Sequence, residues 1–153
     1  MNANFTTILI AVIAVFCLFS YIIPYIRRVL RGSGVIYIDP KDLEQKIASK
    51  TDMLMIDIRP RVNFYDMFGH IEHAINLPYE QFMLRLNETA DRLAGFKETP
   101  VVIIGLRDEN KVFLAYQALR QKGFTDVAIL NYGLSQWIRK GFPTVERNAD
   151  KKD

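Results

Sequence analysis

At 153 residues the chain has room for one domain of ordinary size and a short additional segment. Its formal charge of +3 comes entirely from Arg27, Arg28 and Arg31, because the remaining 17 basic and 17 acidic residues cancel. A balanced domain argues against a nucleic-acid footprint, and the single cysteine, Cys17, excludes an internal disulfide and a thiolate metal cluster.

Residues 5–26, "FTTILIAVIAVFCLFSYIIPYI", carry no charge. As a helix they would span about 33 Å at ~1.5 Å per residue, enough for the hydrocarbon core of a bilayer. A cleavable secretory signal would have a basic start, a shorter apolar run and a small-residue cleavage site. None of these is present, so the segment reads as a transmembrane helix in which Cys17 packs as a small apolar residue. Residues 1–4 are uncharged in their side chains, whereas the three arginines follow directly. The positive-inside bias therefore predicts an extracytoplasmic N-terminus and a cytoplasmic domain at the inner membrane. Residues 27–34 form a basic linker whose end, "VLRGSG", reaches only about 20 Å when extended.

Residues 35–146 are expected to fold as the domain, and from about Gly34 onward to do so independently of the anchor. "VIYID" reads as a first strand, and Asp39 as the N-cap of a helix with Pro40 at its first position. "MLMIDIR" is a second strand, "VNFYDMF" an aromatic helical turn, and His73 to Leu77 a third short strand. "YEQFMLRLNETADRLAGF" has helical periodicity with a break near Asn87. "VVII" is a fourth strand buried on both faces, and an amphipathic helix follows it, with Val112, Tyr116 and Leu119 on one stripe and Gly123 as its stop. "DVAIL" is a fifth strand, "GLSQWIRKGFP" a last helix, and residues 147–153 a polar tail. Strands alternating with helices predict an α/β fold, a three-layer sandwich around a mostly parallel sheet.

Two stretches carry a resemblance. "MIDIRPRVNFYDMFGHIEHAINLP" resembles the first signature of the rhodanese-like sulfurtransferase domains. "GFTDVAILNYGLSQWIRKGFPTV", with Gly133, Trp137, Gly141 and Pro143, resembles their closing signature. In that family the strand matching "VVII" ends in a cysteine that carries sulfur as a persulfide, its thiolate stabilised by loop amides. Here the matching residue is Gly105, so the resemblance implies no catalytic residue at that place. It also implies a degenerate pocket loop of Gly105, Leu106, Arg107, Asp108, Glu109, Asn110 and Lys111. The loop is about one residue longer than the common one, so either Asn110 or Lys111 takes the closing position. Asp108 and Glu109 are expected to face an anionic sulfur donor, and like charges about 4 Å apart repel by roughly 1–4 kcal/mol.

Asp57 and Arg59, at a strand's carboxyl end, are expected to brace the Gly105 loop as an ion pair. His70 is expected to make a fold-stabilising hydrogen bond. His73 is read as a partly exposed strand residue without a second metal ligand, and Trp137, spaced with Leu134 and Ile138, as core.

No cofactor or metal is expected. The reading these residues favour is a membrane-tethered, non-catalytic rhodanese-like module whose partners are the lipid bilayer and a membrane or membrane-associated protein. Bacterial inner-membrane proteins with a single-span anchor and this domain are similar in organisation. The alternatives are a sulfurtransferase or phosphatase-like enzyme acting through another residue, and a small-anion sensor using Arg107, Lys111 and the loop amides.

Overall fold

The computed structural model describes Ser20, residues 34–89 and residues 93–145. The chain divides into two compact units, Met1–Val35 and Ile36–Asp153, and every element below belongs to the second. Among the described residues no helix is long and apolar enough to cross a membrane. Apart from Ser20, the expected span at 5–26 lies outside the described residues, as do Arg27, Arg28, Arg31 and the tail at 147–153.

Five strands form one sheet: β1 (Tyr37–Ile38), β2 (Leu54–Asp57), β3 (Ile75–Asn76), β4 (Val101–Ile104) and β5 (Val127–Leu130). Their order across the sheet is β1-β5-β4-β2-β3 and every pairing is parallel, with Met55 opposite Val102 and Ile103 opposite Ile129. The β-branched run of β4 suits this central place, where both faces are covered, and all four of its residues are buried. The third strand is shorter than its sequence suggests. His73 adopts φ +65°, a left-handed conformation that belongs to a turn, so extended pairing begins only at Ile75.

The helices are α1 (Pro40–Ala48), α2 (Arg61–Phe64), α3 (Tyr79–Thr89), α4 (Asn110–Gln121) and α5 (Gly133–Arg139), with a 3₁₀ turn at Ala94–Phe96. The expected break near Asn87 falls later, since α3 continues to Thr89. At the start of α1 the Asp39 carboxylate accepts the Lys41 amide at 3.0 Å and a hydrogen bond from Lys140 Nζ at 2.8 Å. The Lys140 bond, and then the Lys41 amide, hold the Asp39 carboxyl below its ordinary range. Helix α4 buries Val112, Ala115, Tyr116 and Leu119, and Gly123 at φ +92° supplies the left-handed turn that ends it. Leu43, Ile104, Leu130, Leu134 and Trp137 meet in one apolar cluster. The Trp137 indole N–H there donates to the Pro143 carbonyl at 2.8 Å, so its one polar atom is satisfied.

Candidate functional site

The order of the strands locates the crevice. From β2 the chain moves outward to β3, whereas from β4 it moves the other way to β5, so the connections diverge between β2 and β4. Ligands of parallel sheets bind outside the carboxyl ends of strands at such a point. A cavity of about 360 Å³ lies here, lined by Ile58, Arg59 and Pro60 after β2, and by Gly105 and Leu106 after β4. The Ile58 amide donates to the Ile104 carbonyl at 3.0 Å, which carries the ladder one residue beyond β2 and fixes the two walls together.

The β2 wall rests on Asp57 and Arg59, both buried. Arg59 Nε lies 3.0 Å from each Asp57 carboxylate oxygen and Nη2 lies 2.7 Å from Oδ2. The remaining donors reach the Asn63 carbonyl at 3.0 Å and the Gly69 carbonyl at 2.9 Å. Four of the five guanidinium N–H groups are thereby directed to fixed acceptors, two of them backbone carbonyls of the following segment, so the pair secures residues 63–69. Both of these backbone acceptors of Arg59 belong to the segment after β2. His70 serves the same segment. Its Nδ1 lies 3.1 Å from the Phe64 carbonyl, its ring stacks on Phe64 at 3.7 Å, and its backbone exchanges hydrogen bonds with Val145. His73 is exposed in its turn and is no strand residue; its nearest acidic neighbour is Glu72 at 4.0 Å.

The opposite wall is held by α5. The Leu134 amide donates to the Gly105 carbonyl at 2.9 Å and the Ser135 amide to the Leu106 carbonyl at 3.0 Å. Only glycine allows this approach at position 133, because a Cβ there would stand 2.5 Å from the Gly105 oxygen, and its φ is +57°. Asp108 takes part in the same joint, accepting the Tyr132 amide at 3.0 Å. It is therefore directed to the start of α5, and it is not among the residues that line the cavity. Arg107 and Asn110 do not line the cavity either; Leu106, Glu109 and Lys111 do. Glu109 occupies the N-cap position of α4 without a side-chain capping bond.

Lys111 is bound to Glu80, Nζ to Oε1 at 2.6 Å, and stands 5.4 Å from the centre of the Tyr79 ring. The hydrogen bond raises the lysine's pKa and lowers the glutamate's, so the two stay ionised together.

Gly105 itself is buried, with a φ outside the left-handed region, so its backbone would tolerate a side chain. The space would not. A Cβ at 105 would lie 2.3 Å from Val112 Cγ2 and 3.2 Å from the Arg107 oxygen. Sequence periodicity marked Val112 as core. Its contact with Gly105, and the contributions of Asn63, Asp66, Phe68 and Glu80 to the cavity, come from the tertiary packing and have no local signal.

Among the residues lining the cavity there is no thiol, hydroxyl or imidazole, and among the described residues no cluster suits a metal ion. A second cavity of about 640 Å³ lies at the other end of β2, bounded by Met53, Phe82, Leu86, Phe96 and Phe124. It is apolar and lacks the strand-end geometry described above.

Comparison with known proteins agrees with this architecture. The family model for the Rhodanese-like domain matches residues 39–140. A protein of Allochromatium vinosum named "Sulfurtransferase" is 32% identical over 108 residues, covering 71% of this chain and 92% of that one. The solution structure of a rhodanese-like domain from Anabaena superposes with a TM-score of 0.60 at 24% identity, covering 76% of this chain and 83% of that one. The polysulfide-sulfur transferase homodimer of Wolinella succinogenes gives a TM-score of 0.64 at 18% identity, covering 88% and 97%. By sheet order, by the match across most of the domain and by the Allochromatium relative, the chain belongs to the rhodanese-like domain family.

Proposed function

We propose that the chain is a membrane-anchored, non-catalytic rhodanese-like module that binds a membrane or membrane-associated protein through the cavity between β2 and β4. The observation that carries this reading is the Val112 methyl standing where a side chain at 105 would begin. The place at which the family's persulfide would form is filled by packing. The chain's one cysteine is Cys17, in the expected membrane span. What is left at the strand ends is a braced crevice, held by Arg59 on one side and by α5 on the other, and a rigid loop of this kind is suited to recognition.

The alternative is sulfur transfer, which the name of the Allochromatium relative favours. It would require a nucleophile outside the cavity. Anion sensing is less well supported, because Arg107 does not line the cavity and Lys111 is engaged by Glu80.

Photo-crosslinking in intact cells tests the proposal. A photoreactive amino acid at Leu106 of the full chain is expected to give a discrete adduct with one membrane-associated protein, and the same group at Lys50 none. Indistinguishable patterns from the two positions would overturn the reading.

A further inference from the structure

The cavity has an exposed apolar rim. Phe68 and Leu106 line it and are 50% and 42% exposed, and Val62 and Met67, in the segment that forms its β2 wall, are 78% and 79% exposed. Four large apolar side chains, Val62 on α2, Met67 and Phe68 in the turn after it and Leu106 after β4, are more than scattered surface residues, and such a group marks an interaction surface.

The charges within the rim select what could cover it. Two cations line the cavity, Arg59 and Lys111, and each is already neutralised, by Asp57 at 2.7 Å and Glu80 at 2.6 Å. The other two ionised groups are carboxylates. Among the described residues the Asp66 side chain accepts the Phe68 amide at 2.8 Å, and Glu109 stands at the N-cap without a capping bond, within electrostatic reach of Lys111 but second to Glu80 as its partner. No ion pair among the described residues involves either of them. The cavity therefore presents net negative charge surrounded by apolar surface.

We infer that this face receives an apolar segment of a protein partner carrying an arginine or lysine, whose cationic end enters the cavity toward Asp66 and Glu109 while flanking apolar side chains cover Phe68, Met67 and Leu106. This rests on the partner-binding reading above and adds the chemistry of the partner. A guanidinium suits the place well, since it offers several donors in a plane and gives up its hydration more readily than an ammonium. The same carboxylates disfavour an anionic headgroup, so an acidic membrane surface does not fit the face.

The test uses the full chain, isotope-labelled in phosphatidylcholine nanodiscs, and three synthetic probes: acetyl-Leu-Leu-Arg-Leu-Phe-amide and the same peptide with citrulline or glutamate in place of arginine. The arginine peptide is expected to give saturable shifts at the amides of residues 66–68 and 105–112. It should bind about tenfold more tightly than the citrulline peptide, the ratio set by one hydrogen bond to a charged group. In the double variant Asp66→Asn, Glu109→Gln the arginine and citrulline peptides should bind alike. Met67→Ser should weaken both peptides by a similar factor, because it removes apolar contact and leaves the charge.

Equal affinity for arginine and citrulline in the parent chain would overturn the inference. So would preference for glutamate, shifts centred on another surface, or shifts at these amides when phosphatidylglycerol is introduced into the discs. A crosslinked partner at Leu106 whose bound segment is acidic would overturn this inference and leave the binding-module reading standing. Loss of the Leu106 adduct together with absent peptide shifts would overturn both.

Discussion

Substituting Gly105 by cysteine would restore the family's residue but not the space it needs. The new Cβ would lie 2.3 Å from Val112 Cγ2, well inside contact distance. Val112 cannot easily turn away, because it is buried on α4 and a β-branched side chain in a helix is largely confined to one rotamer. Overpacking of this kind costs about 1–3 kcal/mol. Part of it is offset, since replacing glycine where φ is ordinary removes about 0.4–1 kcal/mol of unfolded-state entropy. Val112→Ala alone opens a small cavity in place of its two methyl groups, at about 0.8 kcal/mol per carbon plus the cavity term. Combined, the two changes relieve each other, and the double variant should be more stable than the sum of the singles by about 1 kcal/mol or more. Urea denaturation of the full chain in detergent, in a Cys17→Ser background, measures the cycle, and the rate of thiol labelling at 105 reports access. A Gly105→Cys chain as stable as its parent, with no coupling to Val112→Ala, would refute the packing argument.

Arg59→Ala leaves the buried Asp57 carboxylate without its partner, and should destabilise the domain by about 3–5 kcal/mol with early exposure of residues 63–69 to hydrogen exchange. The Asp39 carboxyl, held below its unfolded value of 3.8 by Lys140 and the Lys41 amide, contributes stability that is present above that value and is lost as pH falls through the lower folded value. Lys140→Ala should move the Asp39 titration, followed by NMR, back toward 3.8. For topology, protease added outside intact spheroplasts is expected to leave the domain whole, and digestion of it from outside would reverse the proposed orientation.

What the sequence made legible was local. Val101–Ile104 could be read as a central strand because four β-branched residues in succession suit few other places. Asp39 and Pro40 could be read as a helix start because both signals act within one turn. The resemblance points to Gly105 and its loop, of which Gly105, Leu106, Glu109 and Lys111 line the cavity. Side-chain directions within the loop depended on distant groups. Asp108 is turned by the Tyr132 amide, 24 residues along the chain, and Lys111 is drawn to Glu80, 31 residues back. Arg59 illustrates a further limit. Its pairing with Asp57 is a contact of near neighbours, but its remaining donors choose backbone carbonyls, which are present in every sequence and mark nothing. His73 is left-handed two residues before pairing begins at Ile75, and histidine, though enriched in that conformation, is no strong mark of a turn in a sequence.

The central claim, that this rhodanese-like module binds and does not carry sulfur, is tested most directly by thiosulfate-to-cyanide transfer with the full chain and its Cys17→Ser variant. Thiocyanate release equal to a no-protein control is expected for both. Release above that control that persists in Cys17→Ser would contradict it, because sulfur would then be carried by a domain residue other than cysteine.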